Sequence, residues 1–163
     1  MLNSLFVENC VPVVCLAGVV PNSSVPARVS LKEYERVAFL IFGKNATTVT
    51  GSAVTVKQSK TVAGGSEKAV PVTRIWTSVD YAADPTLVET AVVGNTFTLS
   101  AVDSKQSLTV VEVRPDDLDV DAGFDCVGIG TANATAQTVT VIAILYAPKH
   151  RCKPADLVNP QVD

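Results

Sequence analysis

The stretch Arg36-Val37-Ala38-Phe39-Leu40-Ile41-Phe42 decides the fold class. Its two alternating faces are both apolar beyond Arg36, the pattern of a central strand covered on both sides. Outward from it, Ala53-Val54-Thr55-Val56-Lys57 alternates cleanly, with Val54 and Val56 directed inward and Thr55 and Lys57 outward. Thr138 to Tyr146 is the last and most apolar segment of this kind. Val70 to Thr77, Ser107 to Val113 and Phe124 to Gly130 read as further strands, with Pro71 near the start of the first, where a missing donor is tolerated. Thr86 to Val92 and Thr96 to Val102 flank Gly94-Asn95, a hairpin signal. Leu16 to Val20 reads as a short strand within an apolar N-terminal stretch broken by Pro12, Pro21 and Pro26.

Roughly eight or nine short strands with turn signals about every 8–12 residues predict an all-β, two-sheet β-sandwich, and the strand count fits a jelly-roll-like arrangement. Helix is expected only as one or two single turns. Ser30-Leu31-Lys32-Glu33 has capping-box spacing and predicts one turn ending near Tyr34. Pro115-Asp116-Asp117-Leu118 predicts another, with proline at its first position. The length of 163 residues fits one domain. It divides into an N-terminal arm or first strand (1–29), a sandwich (30–148) and a C-terminal tail (149–163).

Composition narrows the function. A net charge of −3 argues against direct binding to nucleic acid or to an anionic membrane, both of which need a basic face. The apolar run Val11 to Val20 lacks a basic flank, carries Glu8 just before it and is too short to span a bilayer, so neither a signal peptide nor a membrane segment is expected. Cys10, Cys15, Cys126 and Cys152 fit no zinc spacing and are expected to be mostly buried small hydrophobes with free thiols. Asn22, Asn45 and Asn133 each begin an Asn-x-Ser/Thr triplet, which a Thr-rich chain produces by chance.

The densest charge lies in Pro115 to Ile129, with Asp116, Asp117, Asp119, Asp121 and Asp125. Asp117-x-Asp119-x-Asp121 resembles the start of a calcium loop. However, Ala122 stands where glycine is required, and Gly128 stands where the bidentate glutamate belongs. A solvated acidic turn is expected, with no metal. His150, the only histidine, sits among Lys149, Arg151 and Lys153 in the tail, with no residue placed to make it a catalytic base. No nucleophile elbow, zinc-protease helix or phosphate-binding loop occurs. The expectation is therefore a protein that is not an enzyme and takes no cofactor. The alternative weighed against a structural role is a carbohydrate-binding, lectin-like sandwich, for which Trp76, Tyr34, Tyr81 and Tyr146 are the available aromatics. Of these, Trp76 and Tyr146 are expected to be buried.

A further expectation comes from resemblance. Leu31-Lys32-Glu33-Tyr34-Glu35-Arg36-Val37-Ala38, Val54 to Ser59, Val72-Thr73-Arg74-Ile75-Trp76, Leu118 to Val127 and Ala143 to Arg151 follow in the order found in a family of tailed-bacteriophage head decoration, or cement, proteins. The segment Leu118-Asp119-Val120-Asp121-Ala122-Gly123-Phe124-Asp125-Cys126-Val127 resembles the family most closely. The resemblance implies a jelly-roll-like sandwich without catalytic residues. Such a protein is made in the host cytoplasm and binds the outer surface of an HK97-type capsid, where it bridges neighbouring capsid subunits. Its implied partners are the major capsid protein and its own copies, as homodimer or homotrimer. The N-terminal stretch departs from the family. Its residues Val11, Val13, Val14, Leu16, Val19 and Val20 are too apolar to lie free in water and are the expected capsid or oligomer contacts.

Overall fold

The computed structural model describes residues 6–22, 27–149 and 159–162. Eleven strands are present among them: β1 (Cys10–Val19), β2 (Val29–Ser30), β3 (Tyr34–Asn45), β4 (Ala53–Ser59), β5 (Lys68–Ala69), β6 (Arg74–Ser78), β7 (Val88–Ala91), β8 (Thr96–Thr98), β9 (Gln106–Val113), β10 (Cys126–Thr131) and β11 (Gln137–Pro148). They form two antiparallel sheets. The larger has the order β1-β11-β3-β9-β6-β7, and the smaller has β2-β10-β4-β5, with β8 also paired to β4.

This is jelly-roll connectivity. First strand lies beside last, and β3 and β9 complete one four-strand set. The other set is β2, β10, β4 and a fourth position shared by β5 and β8. The β6–β7 hairpin is inserted between those two short strands and extends the larger sheet. The Gly94-Asn95 turn therefore does not close a hairpin. β7 pairs with β6, while β8 crosses to β4, where Phe97 lies opposite Val54. Gly94, at φ +96°, makes the bend that carries the chain between sheets, a conformation glycine adopts without a steric penalty.

The core lies between the sheets. From the larger sheet, Val37, Phe39 and Ile41 of β3 and Val139, Val141 and Leu145 of β11 are each 0% exposed. They meet Val54 and Val56 of β4 and Val127 and Ile129 of β10, which are also fully buried. The inward placement expected of Val54 and Val56 holds. One end of the sandwich is tied by buried amides. Gln137 Nε2 donates to Asn45 Oδ1 at 2.8 Å and to the Ser100 carbonyl at 3.0 Å, while its Oε1 accepts the Ser52 N–H at 2.9 Å.

Among the described residues helix is confined to single turns: Phe6–Asn9, Pro115–Asp117 and Val120–Ala122. The turn expected at Ser30–Tyr34 is a bend instead. Ser30 closes β2, and its hydroxyl accepts the Lys32 N–H at 3.3 Å, so the hydroxyl caps a turn that β3 ends at once.

The N-terminal stretch is a full edge strand. β1 runs antiparallel to β11 from Cys10 opposite Tyr146 to Val19 opposite Val139, with bulges between Val14 and Leu16 and between Leu16 and Val19. The first bulge lets consecutive Cys15 and Leu16 both pack against the core.

Candidate interaction surface

β3, β9 and β11 place one set of alternating side chains in the core and the other on the outside of the larger sheet. In most antiparallel sandwiches that outer set is polar. Here Val14, Ile142, Leu40, Val110 and Trp76 lie directly opposite one another across β1, β11, β3, β9 and β6. The row on one side includes Phe42 and Leu108, and the row on the other Ile144 and Ala38. None of these belongs to the buried core; the half-buried hydrophobics packed against it are Val11, Leu16, Ala27 and Val92. One margin of this face is covered by a neighbouring loop residue, with the Tyr81 ring edge-on to Phe42 at 5.6 Å. The opposite flank is polar. Tyr146 donates its hydroxyl proton to Glu112 at 2.9 Å, and burial together with Glu112 raises the Tyr146 pKa. Arg74 lies over the Trp76 ring at 5.4 Å and 4.0 Å from Glu89.

The Arg36–Phe42 segment of β3, read from the sequence as covered on both sides, is fully buried on its core side and half-buried on the other among the described residues. Trp76 and Tyr146, expected to be buried, are half-buried on this outward face. The signal for the face was present in the doubly apolar pattern of Val37 to Phe42. A lone sequence cannot show whether the second cover comes from the same chain.

The six expected contact residues divide between the two sides of β1. Val13 is 7% exposed and belongs to the core, and Val11 and Leu16 pack against it. Val14 joins the outer apolar face at 59% exposure. Val19 and Val20 are exposed where β1 leaves the sheet, and Val102 is exposed at the same end of the sandwich.

The acidic turn is held by cations and amides. Lys68 pairs with Asp119, and this contact holds the Asp119 carboxyl below the usual carboxylate range. Lys32 lies 3.5 Å from Asp125. Asp117 accepts the Arg114 N–H at 2.8 Å, and the Asp119 N–H donates to Gln58 at 2.8 Å. Lys60 and Lys68 also sit over the Phe124 ring, at 5.3 and 4.4 Å. Among the described residues no group of three or more His, Cys, Asp or Glu side chains is placed to hold a metal. His150, Arg151, Cys152 and Lys153 lie outside the described residues. Cys10 is a half-buried free thiol. Cys15 is a buried one, its pKa pushed up to about 11 by loss of solvent.

A shallow groove of about 230 Å³ opens beside Trp76, lined also by Arg74, Glu112, Arg114 and Asp117.

No protein-family model matches the chain, and no curated protein matches it. Among solved structures, it is similar to the SPBc2 prophage-derived protein YomS, with 12% sequence identity and a TM-score of 0.48 over 85% of this chain and 94% of that one.

Proposed function

We propose that this protein is a structural component of a virion that binds the outer surface of an HK97-type phage capsid and bridges neighbouring capsid subunits. The observation that carries the proposal is the series of decoration-protein-like segments from Leu31 to Arg151, most of which fall on strands and turns of the jelly roll. The surface chemistry supports it: Val19, Val20 and Val102 are exposed on a chain whose net charge of −3 keeps free copies apart until a partner covers them. A copy that binds the assembled shell but not its dissociated subunits stabilises the shell by linkage. Contacts to several subunits at once add avidity without exceptional single contacts.

The shell-facing part in this proposal is the end of the sandwich where Val19, Val20 and Val102 are exposed. Deleting residues 1–20 is an unsuitable probe, because β1 contributes Val13 and Cys15 to the core. Val20→Asp tests it instead. The variant should keep the parent's melting temperature and lose co-sedimentation with assembled shells. Undiminished co-sedimentation would remove this end from the contact.

A carbohydrate-binding role is the second reading, and the groove at Trp76 favours it. An aromatic face bordered by Arg74, Glu112 and Asp117 has the stacking surface and planar hydrogen-bonding groups that a sugar ring requires. Glycan-array binding abolished by Trp76→Ala would support that role, and an array with no signal above background would dismiss it.

A further inference from the structure

We propose that the outer face of the six-stranded sheet is a self-association surface, and that two copies pack through it face to face about a two-fold axis passing near Leu40 and Ile142. This goes beyond shell binding and holds whether or not that role is correct.

The first support is size. Neighbouring strands lie about 4.8 Å apart, and same-face side chains repeat about every 6.8 Å along a strand. The nine apolar positions of the three rows, interrupted by Thr140 and Glu112, therefore make an apolar centre on the order of 300 Å². A standard interface takes roughly 800 Å² from each partner, with an apolar core inside a polar rim. The ring of polar residues around this centre supplies the remainder.

The second support is charge. The flank carries Arg36, Arg74 and Arg114, offset by Glu89, Glu112 and Asp117. A flank balanced in this way does not repel its own copy. Its internal contacts, Arg74 with Glu89 and Tyr146 with Glu112, already hold the acidic groups in place.

The third support is that the sheet's edges are poor alternatives. β1 carries Pro12 and two bulges on its outer edge, and β7 is only four residues long with Glu89 inside it. Both features blunt strand-to-strand addition. Stacking one flat sheet on another is the remaining geometry, and stacking on an identical copy is isologous, which closes at two.

The test uses the full chain alone at micromolar concentration, so that a failure here leaves the capsid role untouched, and the reverse. Analytical ultracentrifugation should give twice the 17.1 kDa chain mass. Leu40→Glu should give the single-chain mass while retaining the parent's β-type circular dichroism and cooperative melting. If Leu40→Glu does not fold, Leu40→Thr should raise the dimer dissociation constant roughly a hundredfold, since a two-fold axis counts each substitution twice. A parent that is monomeric or trimeric would overturn the proposal. So would a Leu40→Glu protein that stays dimeric, or a Leu40→Thr dimer as tight as the parent.

Discussion

Val141→Asp probes the core from its most constrained strand. Val141 is 0% exposed, lies opposite Ile41 on β3 and Leu16 on β1, and faces the second sheet. Removing the buried valine costs about 1.5–3 kcal/mol. A carboxyl left without a partner costs about 1–3 kcal/mol more even when neutral. Ionisation adds a pH-dependent part. Burial raises the folded-state pKa of this aspartate above its unfolded value of about 3.9, by up to roughly 3–5 units. The folded state then binds more protons than the unfolded one. Stability therefore falls as pH rises above about 4, by about 1.4 kcal/mol per unit, until the folded pKa is passed. At pH 7 the total reaches about 7–10 kcal/mol, comparable with the whole stability of a domain, about 5–15 kcal/mol. Thermal melts followed by circular dichroism at pH 5 and pH 7 measure it. The variant should be unfolded or nearly so at pH 7 and partly recovered at pH 5. Thr138→Asp, on the same strand but outward and opposite Lys44, should change stability by less than about 1 kcal/mol. A Val141→Asp protein melting within a few degrees of the parent at pH 7 would refute the register of β11.

Four further outcomes follow from the structure. Gln137→Leu leaves the Ser52 N–H without its acceptor and Asn45 Oδ1 without its donor, while Asn45 Nδ2 still holds the Ser100 carbonyl, so chemical denaturation should give a loss of about 2–4 kcal/mol. Asp80, Asp84, Asp103 and Asp119 have depressed pKa values, caused chiefly by contacts with Lys105, Thr86, the Val49 N–H and Lys68 respectively. Their contribution is present above the unfolded carboxylate pKa and lost as pH falls through the folded values, so the melting temperature should drop below about pH 4. Millimolar calcium against excess chelator should leave that temperature unchanged. Cys15 should resist thiol reagents at neutral pH in the folded protein and react on unfolding, read by peptide mass mapping.

Legibility differed from segment to segment for physical reasons. Clean alternation at Val54 and Val56, and long apolar runs at β3 and β11, state their own secondary structure. β1 did not, because its bulges place Cys15 and Leu16 on the same side and break the two-residue period. The Gly94-Asn95 bend has the local chemistry of a hairpin. Where its flanking strands pair is set by distant partners on β4 and β6, which no local pattern encodes. Ser30 and Glu33 carry a helix signal that the start of β3 at Tyr34 overrides. At the surface, three of the six expected contact residues turned out to serve the core. The broader apolar face was visible only as a doubly hydrophobic strand whose outer cover the sequence could not assign.

Shell binding is tested by adding the purified protein to expanded phage heads that lack it and imaging them by electron cryomicroscopy. Saturable extra density is expected on the outer surface at lattice positions shared by neighbouring capsid subunits, with heads that withstand higher temperature and little binding to free capsid subunits. Bare heads at saturating protein, or equally tight binding to monomeric capsid protein, would contradict it.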